Sequence, residues 1–167
     1  MENNQGDCKP KLPDRKHIHR LERVFDNYQP PVYFVTMCSL ERRKVLTRPV
    51  IANEIADVFG RCEESYGWAV GRYVIMPDHV HFFCRPVHTS KSLSDIMRDI
   101  RKWITRKAWT QGIEGALWQK EFFDHLLRSG ESYSEKCEYV RNNPVRAGLC
   151  ERPEDWPWQG ECCPISM

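Results

Sequence analysis

The hydrophobic pattern of this chain changes period several times between positions 31 and 143, and each change predicts an element. PVYFVTMCSL, rich in aromatic and β-branched residues, predicts a strand. Over 48–66 the apolar residues Val50, Ile51, Ile55, Val58, Phe59 and Cys62 recur at helical spacing, and Gly67 ends the segment. WAVGRYVIM and HVHFFCRP predict two more strands, joined by the tight-turn pair Pro77-Asp78. From Ser90 to Trp109 helical spacing returns, with Leu93, Ile96, Met97, Ile100 and Ile104 as the core stripe. ALWQKEFFDHLLR is mixed in period and reads mainly as a strand. Ser132 and Glu135 form a capping-box signature that opens a third helix, which Pro144 should stop near Asn143. The order βαββαβ plus one helix predicts an α+β fold, a ferredoxin-like sandwich with an antiparallel sheet and an added C-terminal helix.

Length and charge refine this picture. A chain of 167 residues, 41% hydrophobic and 29% charged, suits one globular domain with a real core. We expect a basic, flexible arm over 1–30, the folded domain over 31–158 and a short tail over 159–167. The apolar runs are about ten residues long, too short to cross a bilayer, and the N-terminus lacks a signal-peptide core, so a cytoplasmic protein is expected. Eight scattered cysteines without a CxxC pair argue against a zinc ribbon or a disulfide framework. The net charge of +2 conceals two basic blocks, at 9–23 and at 98–107. They suggest an anionic partner, although solvated helix faces have the same composition.

The candidate chemistry lies in MPDHVHFF and in the third helix. On a strand, His79 and His81 point to one face with Cβ atoms roughly 6–7 Å apart, close enough to share a metal ion. Two such histidines can equally be half-buried residues with ordinary hydrogen bonds. On the helix, Tyr133, Cys137 and Val140 form the inward stripe, while Tyr139 and Asn143 share a face off that stripe. Beside a divalent ion, a phenol can attack a phosphodiester and become covalently linked to phosphorus. Two imidazoles and one amide oxygen would leave positions open for phosphate oxygens and water.

At these residues the chain resembles a family. MPDHVHFF is similar to the histidine–hydrophobe–histidine (HUH) motif of single-tyrosine transposases, and EYVRNNPVRAGL resembles their catalytic tyrosine helix. WQKEFFDHLLR and DWPW are similar to segments of the REP-associated tyrosine transposase branch. The resemblance spans about Val32 to Trp158. It implies that the C-terminal helix is catalytic, with Tyr139 as nucleophile, His79 and His81 as metal ligands and Asn143 as third ligand. Insertion-sequence relatives often have Gln where this chain has Asn143, and Asn142 beside it points about 100° away. Asp78 and His125 are candidates for orienting a ligand or touching phosphate.

The implied cofactor is a divalent metal, Mg2+ or Mn2+, and the implied partner is single-stranded or hairpin DNA, with no membrane. Such an enzyme cleaves beside folded repeats, keeps the 5′ phosphate on Tyr139 and releases a 3′ hydroxyl. Arg98, Arg101, Lys102, Arg141 and Arg146 are the expected DNA contacts. Either a monomer or a homodimer with shared sites is compatible with the family. The competing reading from another class is a catalytically inactive single-stranded or hairpin DNA-binding module.

Overall fold

A sheet whose central strands are apolar on both faces must be covered on both, and this chain covers each face with different elements. The computed structural model describes residues 30–89, 91–127 and 130–165, with backbone alone at 130 and 131. The expected basic arm, apart from its last residue, therefore lies outside the described residues. Strands β1 (Val32–Cys38), β2 (Trp68–Ile75), β3 (His79–Pro86), β4 (Phe123–Leu127) and β5 (Gln159–Glu161) form one antiparallel sheet in the order β4-β1-β3-β2-β5. The first four strands reproduce the ferredoxin-like arrangement expected from the βαββαβ order.

Helices α1 (Pro49–Gly60), α2 (Cys62–Tyr66) and α3 (Leu93–Trp109) follow the apolar periodicity. The expected single helix over 48–66 breaks at Arg61, where φ is −93° and ψ 3°. Gly67 then closes α2 with φ 72°, a left-handed conformation in which a side chain would also collide with Thr89. In α3 the Ser92 side chain accepts from Asp95 N (3.2 Å) and the Asp95 carboxylate accepts from Ser92 N (3.3 Å), a reciprocal cap. The predicted stripe Leu93, Ile96, Met97, Ile100 and Ile104 is buried throughout, packed with Ile51, Ile55, Val58 and Phe59 of α1 and Val35, Val80 and Phe82 of the sheet. Each such side chain contributes about 1.5–3 kcal/mol of burial.

Three local expectations are corrected. Helix α4 (Gly130–Arg146) starts two residues before Ser132 and carries Pro144 inside it rather than stopping at Asn143. Pro144 lacks only its own N–H and sits in the last turn, where Ala147 N and Leu149 N satisfy the Asn143 and Pro144 carbonyls. The ALWQKEFFDHLLR segment pairs as a strand only from Phe123, after an isolated bridge between Trp118 and Ser39. Finally, 159–161 of the expected tail form β5, with Gly160 lying against the Tyr73 ring where a larger residue would clash. The Trp156 indole N–H donates to the Ile75 carbonyl (3.0 Å), which pins this segment to the end of β2.

Helix α4 lies on the opposite face of the sheet from α1 and α3. It packs Tyr133, Cys137 and Val140 over Val32, Phe34, Val74 and Phe83, a second and smaller core. Among the described residues, no helix is long and apolar enough to cross a membrane.

Candidate active site

Cross-strand register places the site on the α4 face. Thr36 pairs with His81 and Cys38 with His79, so both histidines project to the side that α4 covers. Their rings lie edge to face with centroids 4.7 Å apart. Each Nδ1 has a partner. The Asp78 carboxylate lies 2.7 Å from Nδ1 of His79, and the Thr36 hydroxyl lies 2.8 Å from Nδ1 of His81. Asp78 is itself held, with its carbonyl accepting from Ser39 N (2.9 Å) and Ser39 Oγ (3.0 Å) and its carboxylate 3.5 Å from Arg42 Nε. The chain reaches that contact through Glu41 and Arg42, two successive non-glycine residues with φ of 54° and 56°.

His81 is 7% exposed. Burial first, and then the neighbouring His79, push its pKa down to about 3, which keeps the ring neutral with a lone pair to offer. Partners at both Nδ1 atoms are the kind of contact that orients the imidazoles of metal-binding histidines. Among the described residues, no group of three or more His, Cys, Asp and Glu side chains is arranged to hold a metal ion. Further donors to an ion at His79 and His81 would therefore be amide, water or substrate oxygens. The donor set fits a divalent ion with open positions.

Helix α4 brings its tyrosine to these histidines within the same chain. The Tyr139 ring centroid is 5.8 Å from that of His81 at an interplanar angle of 66°, and Tyr139 is 38% exposed. Two cations flank the phenol: Lys136 Nζ lies 5.7 Å from its ring centroid and Arg146 Cζ 5.0 Å. Tyr133, the other tyrosine of the helix, packs on Phe83 with centroids 5.0 Å apart, and burial pushes its phenol above the ordinary value. It belongs to the core.

The remaining predicted residues divide. The Asn142 amide donates to the Glu138 carbonyl (2.9 Å), while the adjacent Asn143 is half-buried. His125 is exposed on β4 opposite Phe34, on the site face but in the row beyond the two histidines. Arg141 forms an ion pair with Glu154. Arg98 is paired with Asp95 (2.9 Å) and Asp99 (3.8 Å). Arg101 donates from its two terminal nitrogens to the carbonyls of Lys120 and Glu121, both at 3.0 Å. Lys102 is exposed. These three residues belong to α3, across the sheet from Tyr139.

Sequence reasoning missed Thr36 and Lys136. Lys136 precedes Tyr139 by one helical turn, so the spacing could have revealed it. No linear signal joins Thr36 to His81, because strand pairing alone makes them neighbours.

A REP-associated tyrosine transposase of Escherichia coli K12 is 27% identical over 89 residues, 53% of this chain and 52% of that protein. A Haemophilus influenzae protein, provisionally assigned to the same type, is 25% identical over 137 residues, 76% of this chain and 77% of its own. Among solved structures, a REP-associated tyrosine transposase bound to a REP hairpin superposes with a TM-score of 0.65 at 22% identity, covering 82% of this chain and 81% of that one. The family described as "Transposase IS200 like" matches residues 27–143, more than two thirds of the sequence. With the histidine pair, the helical tyrosine and that match in agreement, this chain belongs to the IS200-like transposase family.

Proposed function

We propose that this transposase cleaves and rejoins single-stranded DNA beside hairpins, with Tyr139 as its nucleophile. The observation that carries the reading is the approach of the Tyr139 ring to His81 within one chain. The phenol oxygen attacks phosphorus, the bond from phosphorus to the 3′ oxygen breaks, and that oxygen leaves with a proton. The 5′ phosphate stays on Tyr139, and its ester energy is kept for a second strand to reclaim.

His79 and His81 would hold a divalent ion such as Mg2+ or Mn2+, with the Asn143 amide oxygen as the proposed third donor. Bound there, the ion would withdraw charge from the phosphodiester. The protein's own residues do the rest. Asp78 and Thr36 fix the two imidazoles. Lys136 and Arg146 stand beside the phenol, where they can neutralise the phosphate it attacks. Lys102 and Arg146 are the proposed direct DNA contacts among the cations expected from sequence. Arg98, Arg101 and Arg141 already have protein partners and would contribute by holding the fold around the strand. Because one chain supplies the histidines and the tyrosine, the site is proposed to be complete in a monomer.

Hairpin DNA is proposed as the partner because the solved relative named above is bound to one. The test is a denaturing gel of labelled hairpin DNA incubated with protein and Mn2+, comparing wild type with Tyr139→Phe. We expect a covalent adduct in wild type alone. Intact binding without an adduct across a hairpin library would instead establish a catalytically inactive DNA-binding module.

A further inference from the structure

Edge strand β4 carries a side chain whose placement the chemistry above does not use. Phe123 is 54% exposed although its neighbour Phe122 packs against the main core. It pairs with Thr36, and Thr36 pairs with His81, so Phe123, Thr36 and His81 form one row across three strands on one face of the sheet. Two strand spacings separate Phe123 from His81, roughly 9–10 Å between backbones. That is within reach of a nucleoside attached to a phosphate held at Tyr139.

The edge is shaped to present this ring. Trp118 pairs with Ser39 and Phe123 with Thr36, so four residues, 119–122, stand opposite only Met37 and Cys38. The surplus makes the chain bulge outward at the sheet edge, and like a β-bulge such an excursion re-aims the side chains that follow it. Arg101 of α3 reaches this bulge, donating to the Lys120 and Glu121 carbonyls at 3.0 Å and lying over the Phe122 ring (5.3 Å). One helix residue thus fixes where the strand turns, Phe122 inward and Phe123 outward.

We propose that Phe123 is a stacking platform for a nucleobase beside the scissile phosphate, and that Arg101 is a positioning residue acting through the bulge. The inference rests on the proposed single-strand cleavage and adds a base subsite to it. Charge complementarity selects the occupant. Lys136 lies 5.5 Å from the Phe34 ring in the adjoining row and, with Arg146, marks the path of an anionic backbone along this face. Every base has a π-face, so such a platform binds strands with little regard to sequence.

The test uses an oligothymidylate of about twelve nucleotides carrying one 2-aminopurine, whose fluorescence falls when it stacks. Full-length wild type should quench the probe. Phe123→Ala should abolish the quench and weaken binding by about 5- to 150-fold, Phe123→Leu should also lose the quench, and Phe123→Trp should restore it. Arg101→Met should reduce the quench with Phe123 still present, and thermal unfolding checks that each variant is folded. Quenching unchanged in folded Phe123→Ala overturns the proposal. So does a DNA-free shift in sedimentation caused by that variant, which would make β4 a protein interface. If wild type forms no adduct with hairpin DNA yet quenches through Phe123, the base subsite stands and the cleavage reading fails. If adducts form equally in wild type and Phe123→Ala without quenching, the reverse holds.

Discussion

The two faces of the sheet follow different rules. On one, Val35, Val80 and Phe82 meet α1 and α3 in a core closed to solvent. On the other, α4 covers only part of the surface, leaving Tyr139 and Phe123 exposed and His79 partly so. The closed face gains its stability from volume filled. The open face holds polar groups whose orientation depends on a few hydrogen bonds, Asp78 on His79 and Thr36 on His81. The proposed reactive surface therefore sits on a scaffold whose larger core lies on the other side, so substitutions on the two faces should separate activity from folding.

Tyr139→Phe should be the most severe change to chemistry, removing all covalent adduct on a denaturing gel while the thermal midpoint stays near wild type. Tyr133→Phe is its counterpart on the same helix and should leave adduct formation in place. Were the adduct lost in Tyr133→Phe and kept in Tyr139→Phe, the division of α4 into a packing tyrosine and a reacting one would collapse. On the closed face, Ile100→Ala should cost about 2–5 kcal/mol in denaturant unfolding, with adduct formation by the folded fraction unchanged. An activity loss out of proportion to folding would show that the faces are coupled.

Asp78→Asn and Thr36→Val should each weaken Mn2+ binding by about 10- to 100-fold in calorimetry, since a partner that orients a ligating imidazole sets its affinity. Unchanged affinity in both would move the metal away from His79 and His81. The smallest effect is expected for Arg141→Ala. Its ion pair with Glu154 is exposed, and such pairs contribute little, so neither the unfolding midpoint nor the adduct yield should move measurably. A clear loss of DNA binding in this variant would return Arg141 to the contact surface.

Much of this was legible in the chain because its signals are local. The stripe from Leu93 to Ile104 repeats at helical spacing, so α3 and its buried face follow directly. His79 and His81 are two residues apart on a strand, which puts them on one side in any pairing. Other features resisted. Pro144 is an ordinary stop signal, yet in the last turn only one hydrogen bond is lost and α4 continues to Arg146. β5 spans three residues with no apolar run, and it exists because β2 offers an unpaired edge and Trp156 fixes the approach. The basic residues were the least legible, since charge alone does not say whether an arginine faces solvent or, like Arg101, a pair of carbonyls.

By itself the sequence determined which residues could react: two imidazoles on one strand face and a phenol off the packing stripe of a helix. These follow from periods of 2 and 3.6, which are properties of the backbone. Only the tertiary structure decided that α4 crosses the face carrying the histidines and brings Tyr139 to His81 of its own chain. Tertiary structure likewise made Thr36 a partner of His81 and set Phe123 in the same row. Those neighbours are separated by tens of residues along the chain, and they meet because strand register and the burial of Val140, Cys137 and Tyr133 leave one way to lay the helix down.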